Sequence, residues 1–325
     1  MMMKNFGSIL CMVMVLVSLC TVAYKSHAQQ YKTFTNDDIQ LFYEERGKGP
    51  VIYILTGGPG APPGIAEQQF MDSLKNNYTV VLLHQRGSGK SRNIPINEKT
   101  INIKSYTSDI EALRRHRKDS KLSLMGISWG GALAMNYAVT FPKQVEKLVL
   151  ICSAPPTYKE WPVLADNQYA RFSIAERDSM QMLQKIFSSK TPVELEQLKA
   201  GDPTAPQVEA FKKFVHILHR VHFYERSLAD KNFDLLFYNF NFAAIPLIDE
   251  EVLKIKWDIT EKLKTLTIPA LILYGRQDDQ GEYNFILQHQ LLRNSQIKVI
   301  EKAGHFIWED QPAEFYKALK NFLVK

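Results

Sequence analysis

The sequence predicts an α/β chain: a mostly parallel, doubly wound sheet with a helical cap inserted after the sixth strand. Three observations predict it. Short runs rich in Val, Ile and Leu recur through the first half and again near the C-terminus. Helix-like stretches alternate with them, which is the rhythm of βαβ units. That rhythm then breaks for about a hundred residues of purely helical pattern before it resumes.

Taken in order, IQLFYEERG (39–47) alternates apolar and polar positions and stops at a glycine. VIYIL (51–55) and YTVVLLH (78–84) are near-continuously apolar, as are LSLMGIS (122–128) and VEKLVLICS (145–153). Such runs suit strands buried on both faces of a parallel sheet. Helices are expected between them near 64–76, 105–117 and 129–141. From Ala154 onward the pattern changes. Segments such as ERDSMQMLQKIF are helical, and prolines 192, 203, 206 and 246 punctuate them. Strand PALILYG (269–275), a helix near 282–293, strand QIKVIEKAG (296–304) and a last helix near 312–323 complete the chain. The boundaries that follow are 29–153 and 261–325 for the two parts of the core and 154–260 for the cap.

The first 28 residues read differently. One lysine precedes an unbroken apolar stretch from Ile9 to Val17, and small residues Ser26 and Ala28 follow. This is the pattern of a secretory signal peptide cut after Ala28, so the protein is expected to be exported, to a periplasm or the extracellular medium. The apolar stretch is short of the roughly 20 residues that span a bilayer, so no stable membrane insertion is expected after cleavage. Cleavage removes Cys11 and Cys20 and leaves only Cys152, which excludes an intrachain disulfide. A formal charge of +6 over 325 residues, with 23% charged residues, is modest. The basic cluster LRRHRK (113–118) has no interleaved aromatics, so nucleic acid is not an expected partner.

The chemistry gathers at four places. Gly126-Ile127-Ser128-Trp129-Gly130 ends an apolar strand and opens a helix. A serine hydroxyl is a poor nucleophile and must stand clear of its neighbours. Glycines two before and two after allow the tight turn that achieves this. A serine needs a base, and the base an orienting acid. Asp278 lies just beyond the strand PALILYG, with Asp279 as its rival. His305 lies just beyond the next strand. Both fall at C-terminal strand ends, where open α/β sheets build their sites. The glycine turn ILTGGPG (54–60) supplies oxyanion donors: Gly58 N–H, with Gly57 as the alternative, together with Trp129 N–H. The segment LHQRGSGKS (83–91) lacks the first glycine of a phosphate-binding loop, since His84 stands there. It is read as a loop near the same site. His216, His219 and His222 recur every third residue, which on a helix spreads them over roughly 120°. They are read as surface or cap packing, with no metal site.

These residues together resemble the proline iminopeptidase family of α/β-hydrolases. GGPG (57–60), QRGSGKS (85–91), GISWGG (126–131), YGRQD (274–278) and AGHF (303–306) match its motifs in its order. Three positions depart from it: Thr56 and His84, where the family has His and Asp, and the elbow GIS in place of GGS. The resemblance implies a serine hydrolase with the triad Ser128, Asp278 and His305. It acts on a short peptide with a free N-terminal residue and needs no metal or organic cofactor. It also implies that cap glutamates hold the substrate ammonium, and Glu225 in HFYERS best matches one such position. The enzyme alternative is a carboxylesterase on small acyl esters. The alternative of another class is a non-catalytic binding protein of the same fold.

Overall fold

The computed structural model describes residues 31–323. The expected signal peptide, 1–28, lies outside the described residues. Eight strands form one sheet in the order β1-β2-β4-β3-β5-β6-β7-β8. They are β1 Lys32–Asn36, β2 Ile39–Arg46, β3 Val51–Leu55, β4 Thr79–His84, β5 Leu122–Ile127, β6 Val145–Ile151, β7 Ala270–Gly275 and β8 Ser295–Ile300. β1 and β2 pair antiparallel, as do β2 and β4, and every later pairing is parallel.

The burial of each strand explains its sequence. Every residue of β5 and of β7 is buried, so both faces of the sheet are covered there and both strands read as unbroken apolar runs. The outermost strands differ. β8 alternates between half-buried and exposed, and β1 buries only Phe34. β1 is absent from the sequence-based reading. Its run KTFTN is short and polar, as an edge strand can be.

The connecting helices fall where the pattern put them: α1 Ile65–Leu74, α2 Ile103–Arg117 and α3 Trp129–Thr140. The helical segment follows β6, as expected. It comprises α4 Trp161–Tyr169, α5 Ile174–Phe187, α6 Pro192–Gly201, α7 Pro206–Arg220, α8 Phe233–Asn239 and α9 Ala244–Lys254. Its starts are written locally. Ser173 with Glu176, and Thr191 with Glu194, form capping boxes, and Pro192 and Pro206 occupy first helical turns. A two-residue bridge, Thr157 to Asp258, ties the entry of this segment to its exit. The last helix, α9, sends Ala244, Ile248 and Val252 into the main core. Helix α10 Thr260–Leu263 leads into β7, α11 Glu282–Leu291 links β7 to β8, and α12 Ile307–Asp310 and α13 Pro312–Leu323 close the fold.

Candidate active site

β5 ends at Ile127 and α3 begins at Trp129, so Ser128 alone makes the turn. Its backbone is at φ 52°, ψ −120°, a region where a residue with a Cβ is strained by about 1–3 kcal/mol. Backbone hydrogen bonds hold it there. Ser128 N–H donates to Ile151 O (2.9 Å), and Ser128 C=O accepts from Gly131 N–H (2.9 Å) and Ala154 N–H (3.0 Å). The flanking glycines are required by packing. A Cβ on Gly126 would stand 2.2 Å from Gly130 O, and one on Gly130 would stand 2.3 Å from Leu55 O. The turn can therefore close only without side chains at both places. Ser128 itself is half-buried, so its side chain remains within reach of solvent.

Around the serine lie uncommitted donors. Among the described residues, the N–H groups of Gly57, Gly58 and Trp129 donate to no protein acceptor. Trp129 N–H is the first of helix α3, whose N-terminus favours negative charge. Gly57 lies against the serine, since a Cβ there would be 3.4 Å from Ser128 Cβ, and Gly58 takes the left-handed φ of 108°. Gln85 bolts this corner together. Its amide nitrogen donates to Thr56 O and Thr56 Oγ1 (both 2.8 Å), and its oxygen accepts from Trp129 Nε1 (3.3 Å). Next to it, buried Arg86 makes two 2.6 Å bonds to buried Asp109. The QRGSGKS segment thus fastens the glycine turn to the elbow, and Thr56 takes part in the fastening. His84 lies within 3.1 Å of Glu44 and accepts from Lys90 N–H.

The candidate acid and base meet on the other side. His305 Nδ1–H donates to Asp278 Oδ1 at 2.9 Å, and the same oxygen accepts from Gln280 N–H at 2.9 Å. This fixes the tautomer that leaves Nε2 as an acceptor. Asp279 Oδ1 stands 3.8 Å from the same Nδ1, so Asp278 is the hydrogen-bonded acid and Asp279 the more distant charge. Burial alone would lower the His305 pKa. The charge and hydrogen bond of Asp278, with Asp279 behind it, outweigh burial and hold the imidazole above its ordinary value. Ser128, Asp278 and His305 follow β5, β7 and β8, all at the C-terminal edge of a parallel sheet. The end of β6 joins them: Ala154 bonds Ser128, while the Cys152 thiol lies with Asp278 and His305 in one cluster of ligand atoms within 4.8 Å. Burial, with the Asp278 charge, pushes the Cys152 thiol well above its ordinary pKa. Among the described residues, these three are the one group with the spacing to share a metal ion.

Two of the three histidines lie as expected, and the third needs correction. His219 is buried and packs on Phe223 and Phe306, with burial pushing its pKa down to about 3. His216 is half-exposed beside Asp230. His222 does more than pack the cap: its Nδ1 is 2.9 Å from Asp279 Oδ2, beside the candidate base. The periodicity carries no sign of this, because the contact comes from the docking of the helical segment. Glu225 is exposed, and its carboxylate accepts from Ser227 N–H and Oγ–H. Its backbone N–H and that of Gly304, one residue before His305, both donate to Asp310. Two surface clefts, one along Pro50, Asp119, Lys121 and Glu146 and one along Tyr78, Lys147 and Leu323, open at the N-terminal ends of the strands, away from these groups. Among the described residues no helix is long and apolar enough to cross a membrane.

The alpha/beta hydrolase fold family matches residues 50–176. A proline iminopeptidase of Heyndrickxia coagulans is 24% identical over 288 residues, covering 86% of this chain and 93% of that one. A proline iminopeptidase of Thermoplasma volcanium is 26% identical over 287 residues, covering 84% and 88%. The crystal structure of VinJ superposes with a TM-score of 0.69 at 18% identity, covering 91% of this chain and 98% of that one. Fold and comparisons define the class: the chain is a hydrolase of the α/β-hydrolase fold. Within that class its sequence is similar to proline iminopeptidases over most of its length, at 24% and 26% identity.

Proposed function

We propose that the protein is a serine aminopeptidase that releases the N-terminal residue of short peptides through an acyl-enzyme. The observation that carries the reading is the Asp278–His305 hydrogen bond at 2.9 Å at the strand edge where Ser128 is held in its strained turn. Ser128 Oγ attacks the scissile carbonyl and passes its proton to His305 Nε2. Asp278 stabilises the resulting imidazolium. The free N–H of Trp129, with that of Gly58 or its neighbour Gly57, meets the oxyanion. One such donor is worth about a hundredfold to a thousandfold in rate. His305 then gives the proton to the leaving amine, and water repeats the sequence to release the acid. Similarity to proline iminopeptidases over most of the chain favours a peptide with a free terminal amine over a simple ester. Glu225 is the candidate to hold that amine.

A panel of aminoacyl anilides, with prolyl anilide among them, set against short acyl esters tests this. Turnover of a free-amine anilide supports the peptidase. Turnover of esters alone would make the protein a carboxylesterase, and turnover of neither would leave a binding protein. The N-terminal pattern adds export to the proposal, and N-terminal sequencing of the mature protein, expected to begin at Gln29, checks it.

A further inference from the structure

Asp279 presents an anomaly. Its side chain is buried, 2% exposed, yet one carboxylate oxygen, Oδ1, has no hydrogen-bond donor. A buried, unpartnered acceptor is costly and calls for a reason. That oxygen faces His305 Nδ1 at 3.8 Å. The other oxygen, Oδ2, lies 2.9 Å from His222 Nδ1 and accepts from Gln168 Nε2 at 3.2 Å. The His222 nitrogen thus meets Asp279 at ion-pair distance. The carboxylate therefore sits between two imidazoles, one from the helical segment and one from the core, whose ring centroids are 5.3 Å apart.

His222 also holds the base from its main chain. Its C=O accepts from His305 N–H at 2.6 Å. The approach requires Gly304, where a Cβ would stand 2.2 Å from His222 O. From the same segment, Arg171 donates to Asp278 O at 2.9 Å and to Gln277 O. The helical segment thus grips both loops that carry the acid and the base.

We propose that Asp279 and His222 are positioning residues for His305, a second carboxylate–imidazole pair through which the docked cap fixes and charges the acid–base couple. The proposal rests on the reading that His305 serves Ser128 as base. Asp279 adds negative charge behind the imidazolium that forms during reaction, and His222 keeps that carboxylate ionised. Burial opposes ionisation of Asp279, but the charge and contact of His222, with His305 and Arg171 behind, hold it well below the usual carboxylate range. The other titratable groups facing the pair are Asp278, the Cys152 thiol and His219. A mere stitch between cap and core would affect melting and leave the titration of His305 in place.

The test is the pH dependence of covalent labelling by a fluorophosphonate, which needs no knowledge of the substrate. It is read on the wild-type chain, Asp279→Asn, His222→Gln and the double variant. His305 must be neutral to accept the serine proton, so labelling rises with pH through the His305 pKa. Removing the Asp279 charge lowers that pKa, and the acid limb moves down by about one pH unit. His222→Gln, which alters both the hold on Asp279 and the charge facing His305, moves the limb by less than Asp279→Asn does, and moves it less still where Asp279 is already Asn. A limb that stays at the wild-type position in folded variants overturns the proposal, and if Asp279→Asn does not fold, His222→Gln decides. A wild-type chain that labels normally while the limb stays fixed overturns this proposal alone. A wild-type chain that does not label overturns the serine mechanism and this proposal with it.

Discussion

The sheet and the helical segment contribute to the site by different means. In the sheet, position follows from strand geometry. Ser128 comes one residue after β5, Asp278 three after β7 and His305 five after β8, and β5 and β7 are wholly buried. The helical segment is packed more loosely. Outside α9, which joins the main core, apolar residues of the segment gather in two small clusters, around Phe237 and around Phe187, and Ile174 and Met182 on α5 are 77% and 69% exposed. Its contributions are contacts made on docking: Asn241 against Gly60 and Gly87, Arg171 on the acid loop, His222 on the base loop. On the proposed mechanism the core supplies the reacting groups, and the cap adjusts them. Changes in the core should therefore abolish reaction, and changes in the cap should tune it.

The largest effects are expected in the core. Ser128→Ala should lower kcat by about a millionfold, and Asp278→Asn by about ten thousandfold, because the imidazole loses its tautomer. Steady-state kinetics of purified, folded variants check both, and a core variant that kept most of its activity would contradict this division of roles. At the seam, Gly304→Ala forces a methyl against the His222 carbonyl, and the cap must lift. A displacement of this kind costs about a hundredfold in rate. A fall in kcat with a small change in melting temperature is the expected pair of readings. The smallest effect belongs to Glu225→Gln. Its carboxylate is exposed and shared with Ser227, so losing its charge should raise KM for a free-amine substrate by about tenfold, 1.4 kcal/mol, with kcat little changed. An unchanged KM would take the substrate ammonium off Glu225.

Acidity offers a further comparison within the site. Asp279 has a depressed pKa in the folded chain, so its stabilising contribution is full above its unfolded value and is lost as pH falls below about 4. His305 has a raised pKa, so its contribution is full below about 6.5 and is lost as pH rises through the folded value. Together they stabilise most between about pH 4 and about pH 6.5. Labelling or turnover needs neutral His305 and should rise above that window. Urea melts across pH check the first statement and rate profiles the second.

Much of the core was legible in the sequence because its cause is local. Two-sided burial makes VIYIL and LSLMGI unbroken apolar runs, and the elbow needs Gly126 and Gly130 whatever surrounds it. Asp278 and His305 could be placed because each stands just past such a strand. β1 was not legible, since an edge strand such as KTFTN buries one side chain and shows almost no apolar pattern. The choice between Gly57 and Gly58 also stayed open, because both N–H groups remain free of acceptors. The part played by His222 could not be read from spacing. Its importance comes from Asp279, 57 positions later, and from a glycine that admits its carbonyl. Neither is visible in a three-residue repeat.

Mass mapping of a fluorophosphonate adduct on the intact protein decides whether Ser128 is the nucleophile. A single adduct is expected on Ser128, absent from Ser128→Ala and slowed at pH values where His305 is protonated. An adduct on another residue, or none on a folded chain, would contradict it.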